Sequence, residues 1–424
     1  MTHPAPRIRT TLADGDGHPG RLVPSLAAAQ ARIAAVNPAA YARTRNSIDG
    51  AVSGLSPYLT HGIVTLADVL SGVASRHALD VQHKFVYELG WREYFRHVWQ
   101  HRGEGILHSL HEGTLPESAY ARELPLDIRQ GRTGLPVVDE AVRSLHDTGL
   151  LHNHARMWLA SYVVHVRKVH WRAGADWLYG HLLDGDLASN HLSWQWVAGT
   201  GSGKPYLFNA ENVARYAPAS WHSPGSVIDT SYEALDRLAR QPARELVPAQ
   251  RPGHGDSSGR PLPTEPPLAA QPPAHLGLQA PTDVTVKGRD VWLVHPWNLG
   301  ALPATLPLGT VVLGVFVADF HRAWPWTEKR WRFVGHRMAE LAAERWCGEA
   351  AAIGAALAGA RSVRSVANPH IDLWLARWAE CEPSPALFPP VDRRCDSFSK
   401  WWSRTTRGLG MAADLLVRSQ LPLL

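Results

Sequence analysis

The sequence predicts a mainly α-helical domain followed by a smaller α/β domain. Three observations carry this. Residues 26–241 place apolar side chains at helical spacing, with few alternating β-branched runs. Residues 242–281 hold ten prolines in forty positions, a composition that buries no core, so 242–285 reads as an extended linker. From 286 to 424 short strand-like and helix-like runs follow one another, as in a small α/β domain. Residues 1–25 lack apolar periodicity and read as an N-terminal arm.

The elements justify themselves in order. Residues 81–98, 150–168 and 175–183 read as helices. In the second, Leu151, Ala155, Trp158, Leu159, Tyr162 and Val166 form one stripe. Residues 290–295 and 310–318 read as strands, the latter buried on both faces. Thr327 is expected to cap a helix presenting Trp331, Val334, Met338 and Leu341, and 350–360 is a further short helix. Residues 397–402 stay open between a surface helix and a docking element.

Composition sets outer limits. At 424 residues, 45% hydrophobic and 19% charged, the chain can bury a sizeable core and is not globally disordered. No apolar run reaches bilayer-spanning length, and the first residues lack a signal-like apolar region. Cys347, Cys381 and Cys395 make neither a disulfide framework nor a CxxC pair. A reduced cytoplasmic location is expected. The formal charge of +5 admits an anionic partner without proving one. Trp outnumbers Phe 18 to 8, which composition alone assigns to aromatic cores rather than to stacking or electron transfer.

Three segments carry candidate chemistry. In 131–196, His152-Asn153-His154-Ala155-Arg156-Met157 and Asp184-Gly185-Asp186 to Asn190 bring charges and amides into apolar surroundings, where they need partners or a ligand. His152 and His154, two apart, face different sides of a helix, and no zinc spacing is present, so no metal is expected. In Val52-Ser53-Gly54-Leu55-Ser56-Pro57, hydroxyls and amides at a turn suit phosphate oxygens, though taken alone the segment reads better as a plain helix start, with Ser56 at the N-cap and Pro57 at N1. Glu88, Trp91, Arg92 and Phe95 share a helical face; alone, they are equally an ion pair beside a core Trp.

Together these segments resemble the FAD-binding domain of the photolyase and cryptochrome family, over about residues 26–220. VSGLSPYLTHG, YELGWREYFRH, GRTGLPVVDEAVRSLHDTGLLHNHARM and DGDLASNHLSWQW stand in the family's order. The resemblance implies FAD held by Tyr41, Val52, Ser53, Gly54, Leu55, Ser56, Phe85, Arg92, Asn153, Arg156, Asp184, Asp186 and Asn190. It implies that Arg156 pairs with Asp184, that Asn190 faces flavin N5, and that Trp194 and then Trp171 carry electrons. It also implies a DNA site of Arg45, Glu88, Trp91, Phe95, Met157 and Trp196 that receives a flipped pyrimidine dimer. Glu88, Asn153, Met157, Trp171, Asn190 and Trp194 are thus the catalytic candidates. The implied activity is blue-light-driven splitting of cyclobutane pyrimidine dimers in DNA by a monomer; the alternative is a cryptochrome-like photoreceptor without repair.

The sequence departs from the family's pattern. Val52 and Gly54 replace Thr and Arg of TSRLSP, Leu150 replaces the Trp of TGW, and His154 replaces an Arg. Ile128 stands where the distal Trp of the electron chain is expected. The family's α/β domain precedes its helical domain, whereas here it follows, so a reduced, circularly permuted α/β domain is expected. No antenna motif is recognisable, and a second chromophore is left unassigned.

Overall fold

The computed structural model describes residues 22–242 and 264–419. Most of the expected arm, and linker residues 243–263, lie outside the described residues. The helical part runs from the helix Leu26–Ala35 to the helix Tyr232–Arg240. Its longest element, Lys84–Arg102, starts where His83 Nδ1 accepts the Phe85 N–H at 3.2 Å and stops at Gly103, whose φ is +53°. The helix expected over 150–168 is interrupted. Gly149 takes φ +70°, and His152 Nδ1 accepts the His154 N–H at 3.1 Å. That local bond replaces an intrahelical one, so the helix starts only at Asn153–Ser161 and widens to a π turn at Tyr162–Val166. His170 caps Trp171–His181 in the same way, which sets its start ahead of the expected 175.

The α/β part holds strands β1 (Leu268–Ala269), β2 (Asp290–Val294), β3 (Val311–Val317), β4 (Trp326–Thr327), β5 (Glu344–Gly348), β6 (Ser362–Val366) and β7 (Glu380–Glu382). Five form one parallel sheet in the order β5-β3-β2-β6-β7. The order reverses between β2 and β6, as in doubly wound sheets. Only β2 and β3 carry the buried apolar runs that make a strand legible. β5, β6 and β7 are half-polar and settle charges across the ladder, as Arg364 does with Glu382 at 2.7 Å. Thr327 does occupy the N-cap position of Glu328–Leu341, but its hydroxyl makes no hydrogen bond there. It belongs to β4, which pairs antiparallel with β1.

That pairing changes the reading of the linker. Residues 264–285 are tied down by specific contacts rather than running free. β1 joins the α/β part, while Glu265 accepts from Arg129 at 2.6 Å and from Trp177 at 2.8 Å in the helical part. Leu276 is buried. The segment is a strap across both parts. Residues 397–402 are settled too. Trp401 and Trp402 of Phe398–Thr405 are buried against the Lys84–Arg102 helix. Gly90 admits Trp402, since a Cβ there would lie 2.4 Å from the ring. Among the described residues no helix is long and apolar enough to cross a membrane.

Several buried histidines make the fold acid-sensitive. Burial lowers His146, His165 and His295 to about 4 and His370 to about 3. His295 fits this, since its Nδ1 accepts the Trp297 N–H and its Nε2 donates to Val366 O. Each group stays neutral when folded but takes a proton near pH 6.5 when unfolded. Their contribution is therefore present above pH 6.5 and is lost as pH falls towards 4, by about 1.4 kcal/mol per pH unit for each group. Thermal melts between pH 7.5 and 5 should show a steep fall in Tm below pH 6.5; a flat profile would contradict the buried, neutral assignment.

Candidate cofactor and substrate site

A cavity of about 210 Å³ opens between the helices Lys84–Arg102, Asn153–Ser161, Trp171–His181 and Leu187–Ala198. From the first come Glu88, Trp91, Arg92 and Phe95, so the predicted stripe does face one site. Asn153, Arg156 and Met157 come from the second, and Asn190 and Trp194 from the fourth, with Asp184 from the turn before it and Ser56 from the segment 52–57. A larger cavity of about 700 Å³ lies between the two parts; of the candidate residues, only Arg92 reaches it.

The polar groups are ordered by charge. Arg156 Nη2 lies 2.8 Å from both oxygens of Asp184, and its Nε donates to Leu151 O at 2.9 Å. Burial alone would raise Asp184, but the Arg156 guanidinium, with help from Ser56 and Arg92, holds it below the usual carboxylate range. Arg92 donates to Thr60 Oγ1 at 3.0 Å and Ser56 Oγ at 2.8 Å. Those hydroxyls are dipoles, so its charge remains available to an anion. Asn190 Nδ2 donates to Ala175 O at 2.8 Å, which leaves its carbonyl oxygen as the group free to accept inside the cavity. Asn153 Nδ2 meets Met157 Sδ at 3.7 Å at the rim.

Aromatic walls complete it. Phe398 stacks on Trp91 with centroids 4.1 Å apart and 13° between planes, which fixes the indole plane from outside. Trp194 packs on Gly174, where a Cβ would come within 2.3 Å of the ring. Trp171 lies about one turn earlier on the same helix face as Gly174. Trp171 Nε1 donates to Ser109 Oγ at 2.9 Å.

Other expected residues stand elsewhere. Asp186 does not line this cavity; its Oδ1 accepts the Ser189 N–H at 2.8 Å and caps the Leu187–Ala198 helix. Arg45 pairs with Glu88 at 3.3 Å rather than facing outward alone. Trp196 is 43% exposed and lies beside Tyr206 outside the cavity. Tyr41 packs edge-on to buried Phe85, Leu55 is buried, and Val52 is exposed, so none of these four lines the cavity; nor do Ser53 and Gly54. Ile128 is fully buried, so nothing at that position reaches the surface. His154 turns inward, stacked between Trp158 and Tyr216. Ser189 and Ser193 line the cavity and were missed, although they are four residues apart, one helical turn, beside Asn190.

The donor set fits part of a flavin dinucleotide. The cavity is smaller than the ~300–1,000 Å³ of whole-ligand pockets, so it can enclose one ring system. Two guanidiniums and an accepting amide suit a planar, polar-edged group that gains negative charge. The Arg156–Asp184 pair can be tested directly. Arg156→Ala leaves a buried carboxylate unpaired, at a cost of about 3 kcal/mol. A lower Tm and weaker FAD retention are expected; an unchanged melt with full FAD content would dismiss the pairing.

The FAD binding domain of DNA photolyase matches residues 85–223. A deoxyribodipyrimidine photo-lyase of Streptomyces griseus is 37% identical over 202 residues, covering 44% of this chain and 44% of its own. One from Synechococcus is 33% identical over 184 residues, covering 39% of this chain and 37% of its own. A cryptochrome DASH of Ostreococcus tauri is 31% identical over 224 residues, covering 49% and 41%. Among solved structures, a Synechocystis cryptochrome gives 29% identity and a TM-score of 0.41, covering 45% of this chain and 43% of that one. The chain thus spans less than half the length of these relatives. Residues 85–223 thus match the FAD binding domain of DNA photolyase, and all the cavity's lining residues but Ser56 lie within them.

Proposed function

We propose that this protein binds FAD and uses blue light to split cyclobutane pyrimidine dimers in DNA. The observation that carries the reading is that Glu88, Trp91, Met157 and Asn190 meet in one cavity beside the Arg156–Asp184 pair. When bound, reduced FAD supplies the light-driven electron that opens the cyclobutane ring and takes it back. The chain's own residues do the rest. Arg156 and Asp184 hold a fixed charge pair along the ring system. Arg92, which among the described residues pairs directly with no carboxylate, attracts the phosphates. Trp91, braced by Phe398, offers a flat wall on which an extruded base can stack, worth about 1–3 kcal/mol. Glu88 supplies a hydrogen-bond acceptor at the same wall. Trp194 lies where an electron enters from the protein.

Phosphate contacts from basic side chains would attract DNA without regard to the lesion, and salt would weaken that attraction. The α/β part, with its doubly wound parallel sheet placed after the helical part, supports a permuted order of two domains. The test is blue-light incubation of chemically reduced protein with an oligonucleotide carrying one thymine dimer. Restored thymine is expected. FAD binding and photoreduction without any repair would instead support a photoreceptor, a reading favoured by the inward turn of His154, which removes one phosphate contact.

A further inference from the structure

The turn that carries Asp184 and Asp186 is held from the other part of the molecule. Arg330, in the helix Glu328–Leu341, is fully buried. Its Nη2 donates to Gly185 O at 2.5 Å and its Nη1 to Tyr179 O at 3.2 Å. The guanidinium lies 4.1 Å over the Trp326 ring and 4.8 Å over the Tyr179 ring. A Cβ on Gly185 would come within 2.5 Å of Nη1, so the turn approaches as closely as glycine permits. No carboxylate among the described residues forms an ion pair with Arg330. A second contact comes from the same side. The Leu187 N–H donates to His370 Nε2 at 3.4 Å, and His370 stacks on Trp297 at 4.3 Å and 10°.

An apolar side chain would join two packed parts at lower cost than a buried guanidinium. The charge is explained by what it faces. Asp184 and Asp186 flank Gly185, with Arg156 on the cavity side and Arg330 behind. We infer that Arg330 is a positioning residue of the flavin site, a latch by which the α/β part holds the Asp184–Gly185–Asp186 turn where Asp184 meets Arg156. The inference rests on the flavin reading above for its effect on cofactor, and on the carbonyl contacts alone for its effect on the turn.

The test uses Arg330→Lys and Arg330→Met in the full chain. Lysine keeps the charge, but as a point donor it cannot span both carbonyls. Arg330→Lys should raise the FAD dissociation constant by about tenfold, or about 1.4 kcal/mol of binding, as the turn that carries Asp184 loosens. It should also speed amide exchange at residues 184–190 in the FAD-free protein. Arg330→Met should add a more negative flavin midpoint potential, because the positive charge behind the Asp184–Gly185–Asp186 turn is gone, and Arg330→Lys should restore it. Wild-type exchange at 184–190 in Arg330→Lys overturns the latch. So does wild-type FAD affinity in that variant. If Arg330→Met fails to fold, the lysine variant decides. If the wild type takes up no FAD, the flavin reading falls, and amide exchange still decides the latch.

Discussion

Trp194→Phe is expected to slow photoreduction of the oxidised protein by about tenfold or more, which corresponds to about 1.4 kcal/mol or more of barrier. Trp194 lines the cavity and packs on Gly174, which lies three residues after Trp171 on the same helix. Phenylalanine keeps the packing but not the ease of oxidation. The charge cannot leave through Ile128, which is aliphatic and fully buried. The aromatic neighbours of Trp171 are His170 and His191, at 5.6 and 6.3 Å between centroids. Beyond them stand Tyr120, 6.3 Å from His170, and Trp324, 5.4 Å from His191. Any outward transfer has those rings to use. Reduced chemically beforehand, Trp194→Phe should still split dimers, because that step does not draw on the indole. Transient absorption measures the first expectation and strand repair the second. Wild-type photoreduction in the variant would remove Trp194 from the route.

Glu88→Ala is expected to show the opposite pattern, sparing photoreduction and impairing repair. Glu88 lies on the cavity wall beside Trp91, paired with Arg45. A charge-assisted hydrogen bond accepted by a carboxylate is worth about 1.5–3 kcal/mol, so repair should fall by about ten- to a hundredfold. Folding should change little, since Arg45 and Glu88 are both partly exposed and such pairs contribute about 0–1 kcal/mol. Full repair by Glu88→Ala, measured under single-turnover light, would take the main support from the enzyme reading and move the photoreceptor ahead.

The site was legible wherever chemistry sits on one helix. Glu88, Trp91, Arg92 and Phe95 are spaced to share a face, and they do line one cavity. Asn153, Arg156 and Met157 are close in sequence for the same reason. Asp186 shows the limit of this reasoning. Its residue type suits a cofactor edge equally well as a helix cap, and only the position of the Ser189 N–H settles it as a cap. Trp196 is similar: two positions after Trp194, it points away from the cavity and meets Tyr206 instead.

What the sequence by itself determined is the local part. The helical and α/β parts, strands β2 and β3, and the shared face of Glu88, Trp91, Arg92 and Phe95 follow from periodicity, because neighbours in sequence share one element. Tertiary structure decided what depends on partners far along the chain. The edge strands β5, β6 and β7 carry polar residues that make sense only beside their ladder neighbours. Residues 264–285 look like linker until Glu265 finds Arg129 and β1 finds β4. Phe398 braces Trp91 from some 300 residues away, and Arg330 grips Gly185 across 145. Burial and charge are properties of the assembled surroundings, so no window of sequence contains them.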